Sequence, residues 1–365
     1  MTERYKIEKN FGQKNRVIFK IIINKDYFDA EIQKDLVKLS KEVKVQGFRP
    51  GKAPLGLIRD KIIKDAFLET FNRLVLDITQ EVLLNESKSG QRYIAGVDYD
   101  FSLDEQIDNN EDEFSNLISY SFTAYTIPKV NPKIVSTSGI KLKTVEVSDD
   151  EVDELIRSLV RSVLKKEEID SLGGEENFEL TNELVARLGY EESKDLESLK
   201  KTVRETIATR KQMDSESKLA QEITKFMLGN IDFDLPKSLI KRKVEDKHLE
   251  FSRRLSQLKI NEESFLKTQG KTLEDLHKEW EEEIIERIKS DIIFFEVAKL
   301  ENVEANDEDV KKELENFLKS YKDGNLDYRY DNAEVHKILR YTLTINNGFK
   351  KLVELSGAIN SGSVS

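Results

Sequence analysis

The chain contains no cysteine. That excludes disulfides, thiolate metal sites and a cysteine nucleophile, and it is compatible with a reducing compartment. Five prolines and sixteen glycines in 365 residues are few, so little interrupts long helices. No apolar run reaches the roughly 18 residues of a membrane span. The opening MTERYKIEKNF has no apolar stretch of the kind a secretory signal needs. The expected address is cytoplasmic, with no membrane partner. Histidine is scarce as well. His248, His277 and His336 fall on three separate predicted helices, without the spacing of a zinc or Ser-His-Asp site. His248 sits on an apolar stripe and reads as a half-buried packing residue. There is no Walker loop and no dinucleotide fingerprint, and Gly173-Gly174 lacks the strand–turn–helix setting of a phosphate loop. Carboxylates abound, but WEEEIIE and DSLGGEE read as solvated charge runs. The sequence therefore predicts no catalytic residues, no metal and no cofactor.

Charged residues make up 35% and apolar residues 38%, against roughly 25% and roughly 45–50% in average globular chains. The apolar residues recur at helical spacing, so the balance fits an elongated molecule better than disorder. The length suggests two or three domains. Net charge is −11, but residues 1–64 carry 16 Lys plus Arg against 8 Asp plus Glu, a net of +8 that leaves −19 on the rest. A basic head on an acidic body suits an anionic partner, nucleic acid first among them. The alternative is a chance surface bias.

Residues 5–10 and 16–24 read as strands, the second as β-branched RVIFKIII. A helix begins at Asp26, with Phe28, Ile32, Leu36, Leu39 and Val43 on one stripe. After a loop, a second helical region follows through Leu57, Ile58 and Ile62 and continues to about Ser87. Strand is expected near Tyr93–Phe101 and over Asn116–Pro128. This is an α+β module with a small antiparallel sheet, residues 1–127. Residues 128–148 read as an extended linker. Residues 149–365 read as an elongated, mainly α-helical domain with arms. Its predicted helices start at the Ser148–Glu151 capping box, span Leu196–Leu228 with a solvated middle, and continue through Ile240–Leu258, Leu273–Phe295 after Thr272, Val310–Leu318 after Asn306, and Asn332–Leu355. GAINSGSVS is expected to be a disordered tail.

Turn chemistry concentrates in VQGFRPGKAP, Val45–Pro54. Gly47 reads as the close of the first helix, Pro50-Gly51 as a tight turn, and Pro54 as the start of the next helix. Such a turn thrusts Phe48 and Arg49 outward, with Lys52 beside them and Lys44 behind. Phe offers an apolar face and Arg a fork for carboxylate or phosphate. The residues alone leave two readings open: a docking knob, or a helix–helix turn whose Phe folds back on its own domain.

The pattern Gly47-Phe48-Arg49-Pro50-Gly51-Lys52-Ala53-Pro54 resembles the ribosome-docking signature of the trigger factor family, bacterial chaperones of the exit tunnel. ELTNELVARLGYEESKDLESLKKTVRETI and GNIDFDLPKSLI resemble family segments as well. The resemblance implies that Phe48 and Arg49 dock and that Gly47, Gly51 and Pro54 shape the turn. The family's third docking residue is often Lys where this chain has Pro50, which removes a cation and stiffens the turn; Lys44 and Lys52 remain nearby. The resemblance further implies a tunnel-rim ribosomal protein and adjacent large-subunit rRNA as partners. Nascent polypeptides would be the clients, and the free protein would form a homodimer. The family's FKBP-like prolyl isomerase domain belongs at about 167–177. Eleven residues cannot make a domain, which needs about 50, so no isomerase activity is expected. The implied function is an ATP-independent chaperone that cradles nascent chains, lined by the 196–228, 306–322 and final helices. Ile292 and Phe295 could be lining, though core suits each better. The alternatives are a ribosome-associated assembly factor holding one folded partner, and an isomerase.

Overall fold

The computed structural model describes residues 4–43, 48–49, 53–94, 99–103, 118–164, 178–189, 195–320 and 333–358. In chain order the elements are β1 (Tyr5–Phe11), β2 (Arg16–Ile23), α1 (Lys25–Ser40), α2 (Leu55–Lys88), β3 (Asp100–Leu103), β4 (Ile118–Tyr125), a 3₁₀ helix (Pro132–Thr137), α3 (Asp149–Val163), α4 (Asn182–Ala186), α5 (Leu196–Asn230), α6 (Lys237–Gln257), α7 (Glu262–Gln269), α8 (Leu273–Leu300), α9 (Asp307–Ser320) and α10 (Ala333–Ser356). They form two compact units. The first joins Met1–Lys129 with Ile231–Ile293, and the second joins Val130–Asn230 with Phe294–Ser365. The mainly helical α+β class with a small antiparallel sheet is as expected from sequence.

In the first unit the sheet runs β1-β2-β4-β3, antiparallel throughout. Alternation in RVIFKIII buries Val17, Phe19, Ile21 and Ile23 on one face, as period-two patterning requires. α1 and α2 cover that face through Phe28, Ile32, Leu36, Ile58, Ile62, Ala66, Leu74 and Ile78. Phe19 and Phe122 stack within this core at 4.9 Å between centroids.

Two polar clasps join the 231–293 segment to this module. Asn15 accepts from the Asp234 amide (2.8 Å) and donates to the Asp234 and Thr126 carbonyls (3.1 and 2.8 Å). The Asp100 carboxylate accepts from the amides of Lys237 and Ser238, from the Ser238 hydroxyl and from the Tyr125 hydroxyl. It thereby caps α6, whose own N-cap, Pro236, supplies no side-chain bond.

In the second unit Val152, Ile156 and Val160 of α3 pack with Phe178, Leu184, Val185, Leu199 and Val203. Ser148 and Glu151 form the expected capping box. α5 buries residues only near its ends, Leu199 and Val203, then Leu219, Ile223 and Met227. Its middle instead donates to linker carbonyls, from Arg204 to Val147, Lys211 to Glu146 and Ser215 to Lys143. At Gly348 the α10 backbone closes on Phe294; an added Cβ would meet the Phe294 carbonyl oxygen at 1.9 Å.

Several local expectations change. α1 ends at Ser40, and the Lys41 and Glu42 amides turn back to the Lys38 and Leu39 carbonyls. The helix therefore does not extend to Gly47 for its cap. Of the strand expected over 93–101, the described residues show a Tyr93–Thr126 bridge and β3 from Asp100; residues 95–98 lie outside them. The linker is not extended throughout: Asn131 caps the Pro132–Thr137 3₁₀ helix, which buries Val135. α7 is an additional helix, started by the Asn261 side chain and stopped by Gly270 at φ 64°. Glu167–Asn177 and the tail beyond Ala358 lie outside the described residues.

Candidate functional site

The signature loop connects α1 to α2. α1 is capped by Asn24, whose side chain accepts from the Asp26 and Tyr27 amides. α2 opens after Pro54, which is the N-cap residue with φ −56° and ψ 135° rather than the first helical residue. A Pro there costs no hydrogen bond, because the first amides of a helix have no partner within it. Ala53 and Leu55 pack on the module's core, anchoring the C-terminal side of the loop.

A partly buried polar cluster locks the hairpin. The Thr70 hydroxyl donates to Asp35 at 2.7 Å, and Arg73 donates to Glu31 at 2.9 Å and Asp35 at 3.0 Å. Asp35 and Glu31 are 7% and 9% exposed. Burial alone would raise the Asp35 carboxyl, but Thr70 and Arg73 outweigh it and hold it below the ordinary carboxylate range. Lys34, and beyond it Arg73, do the same for Glu31. Lys38 and Glu69 add an exposed pair at 2.5 Å.

On this support Phe48 is 43% exposed and Arg49 is exposed. Arg49 has no ion-pair partner among the described residues. Leu57, Arg59, Lys61 and Lys64 of α2 are exposed beyond the loop, and the first turn of α2 carries no acid. The tip thus combines an apolar ring, an exposed guanidinium and cations near a helix N-terminus, a combination suited to anionic surface. Lys44, Gly47, Pro50, Gly51 and Lys52 lie outside the described residues.

Two family models match. The bacterial trigger factor protein model matches residues 4–159, and the bacterial trigger factor protein C-terminus model matches residues 195–354. The chain belongs to the trigger factor family. Trigger factor of Caldicellulosiruptor saccharolyticus is 22% identical over 393 positions, covering 87% of this chain and 88% of that protein. Trigger factor of Streptococcus uberis is 27% identical over 199 residues, covering 53% and 46%. A solved structure, described as promiscuous substrate recognition in folding and assembly activities of the trigger factor chaperone, covers 96% of this chain and 100% of its own at TM-score 0.50 and 16% identity. It supports the fold. Family membership makes the protein a ribosome-associated chaperone that meets the ribosome and nascent chains. The assembly-factor alternative is not favoured. The two family models flank residues 160–194, which neither of them matches.

The proposed cradle helices are present as α5, α9 and α10. Ile338 and Tyr341 of α10 and Met213 of α5 are exposed apolar side chains. Ile292 and Phe295 are both half-buried, and Phe295 lies against Tyr341, with Lys299 over its ring.

One cluster escaped sequence reasoning. His248 and His277 meet, Nδ1 to Nε2, at 3.3 Å, and His248 Nε2 meets Glu262 at 3.0 Å. Trp280 lies against both rings, and Phe251 packs edge-on against Trp280. Only the pairing of α6 with α7 and α8 creates it, so no local spacing could have revealed it. Both nitrogens of His248 are engaged, and no group of three metal-capable side chains occurs among the described residues. His248 is half-buried, as its place on an apolar stripe implied. Among the described residues no helix is long and apolar enough to cross a membrane.

Proposed function

We propose that the α1–α2 tip docks this chaperone at the tunnel exit of the large ribosomal subunit, against a rim ribosomal protein and adjacent rRNA. Phe48 and Arg49 make the principal contacts, and Lys44, Lys52 and the Gly47, Pro50, Gly51 and Pro54 turn support them. The observation that carries this is the exposed Phe48–Arg49 pair on a hairpin locked by the Asp35–Thr70–Arg73 cluster. A tip this small suits micromolar affinity, about −8 kcal/mol, and hence cycles of binding and release. Exposed apolar side chains of α5 and α10 hold unfolded nascent chains without ATP. The protein works in the cytoplasm, and when free it pairs with a second copy.

It does not catalyse prolyl isomerisation. The relative from Caldicellulosiruptor saccharolyticus aligns over 393 positions against 365 residues here, so parts of that relative stand opposite gaps. The sequence between α3 and Phe178 is too short for an independent domain. The test is ribosome co-sedimentation of wild type beside a Phe48→Ala/Arg49→Ala double variant at low and moderate salt. Wild type should pellet and the double variant should remain in the supernatant. Equal pelleting of both overturns the docking assignment.

A further inference from the structure

β1 is an edge strand of the sheet, and Lys6 through Phe11 are exposed. Its pairing register joins Tyr5 to Ile23 and Phe11 to Val17. The Asn24 amide donates to the Arg4 carbonyl (3.0 Å), and the Gly12 amide donates to the Arg16 carbonyl (2.9 Å). In an antiparallel ladder, hydrogen-bonded and non-hydrogen-bonded pairs alternate. Even-numbered residues of β1 therefore bond to β2. The amides and carbonyls of Tyr5, Ile7, Lys9 and Phe11 face outward, where no described strand pairs with them.

An open edge of this kind is a template for another strand, and the side chains here say which. We propose that β1 is a self-recognition strand that pairs antiparallel with β1 of a second copy, centred on Ile7. This rests on the pairing of free copies proposed above and assigns it a surface. With Ile7 opposite the partner copy's Ile7, Tyr5 falls opposite Lys9 and Lys6 falls opposite Glu8. The outward-facing backbone groups of Tyr5, Ile7 and Lys9 then match one another, giving about six ladder hydrogen bonds. Lys6 and Glu8 form two symmetry-related opposite-charge pairs at the close, non-hydrogen-bonded positions. Neither has an ion-pair partner among the described residues of its own chain. A twofold interface requires such self-complementarity. On the helix-covered face, Ile7, 47% exposed, meets its twin, and Tyr5 meets a Lys. Other registers lose this match: centring on Lys6 or Glu8 sets like charges directly opposite. The contact is narrow, so the pair is weak and reversible.

The absence of cysteine makes the test clean. Directly opposed Cα atoms in a hydrogen-bonded pair lie about 5.5 Å apart, within disulfide range. Full-length Ile7→Cys should cross-link to a covalent dimer under mild oxidation. Lys9→Cys alone should not, whereas a mixture of Tyr5→Cys and Lys9→Cys proteins should. By sedimentation equilibrium, Lys6→Glu should weaken the dimer about tenfold or more, because two attractive pairs become two repulsive ones. Lys6→Glu/Glu8→Lys should restore it. Ile7→Pro should abolish pairing and keep the fold, since the Ile7 amide is not used by β2. A dimer insensitive to Lys6→Glu and Ile7→Pro overturns the strand assignment and leaves self-association standing. A wild type that stays monomeric overturns both. An edge protected from hydrogen exchange only when an unfolded polypeptide is added also overturns it, by giving the strand a different occupant.

Discussion

The Asp100 clasp offers a quantitative test of how the first unit is held together. Asp100→Ala removes an acceptor of four hydrogen bonds at 2.6 to 3.2 Å and leaves the first turn of α6 without a side-chain cap. Loss of an N-cap costs about 0.5–2 kcal/mol, and hydrogen bonds to a charged group contribute about 1.5–3 kcal/mol. These describe the same contacts and do not add. Solvent reaches part of the carboxylate, so about 2 kcal/mol is expected. Burial pushes the Asp100 carboxyl up, but the Tyr125 hydroxyl and the Ser238 and Lys237 amides outweigh it, and the net position is below the ordinary range. The sign follows from that depression. The stabilisation is complete above the unfolded value of about 3.9 and is lost as pH falls through that value toward the lower folded one. Urea titrations should therefore show a deficit of about 2 kcal/mol that is flat from about pH 5.5 to 8 and shrinks below about pH 4. Hydrogen exchange should localise the loosening to the first turn of α6. A deficit under about 0.5 kcal/mol at pH 7, or one that grows on acidification, would mean that the ionised Asp100 does not hold α6.

Gly348→Ala should destabilise the second unit by at least about 1–3 kcal/mol, more than the gain of up to about 1 kcal/mol in helix propensity, because its Cβ collides with backbone at Phe294; thermal unfolding reads this. Asp35→Ala should cost about 2–4 kcal/mol in urea titration, since it strands the fully buried Thr70 hydroxyl and frees Arg73. Ribosome binding should fall with it as the hairpin loosens. Ser148→Ala should remove about 1 kcal/mol by opening the capping box, seen as faster exchange in the first turn of α3.

Element type and most element positions are legible along the chain, and so is the Gly47–Pro54 signature. Alternation in RVIFKIII, the Ser148 start and the scarcity of Pro and Gly act within a few residues, so period and cap chemistry are readable along the chain. Phe48 and Arg49 were identifiable because eight adjacent residues carry the signature. Local signals failed where two starts and stops were weak. α1 ended early at Ser40, and α7 hid between α6 and α8 although Asn261 and Gly270 mark its ends.

That Ile231–Ile293 belongs with the N-terminal module emerges from long-range packing. Asn15 meets Asp234, and Asp100 meets Ser238, across separations at which no sequence periodicity operates. The same holds for the contact of His248 with His277, and for the outward-facing backbone groups of β1 falling on its odd-numbered residues. Such facts depend on which surfaces close against one another. That choice comes from burying apolar faces and satisfying polar groups over the whole chain at once, and no single stretch of sequence encodes it.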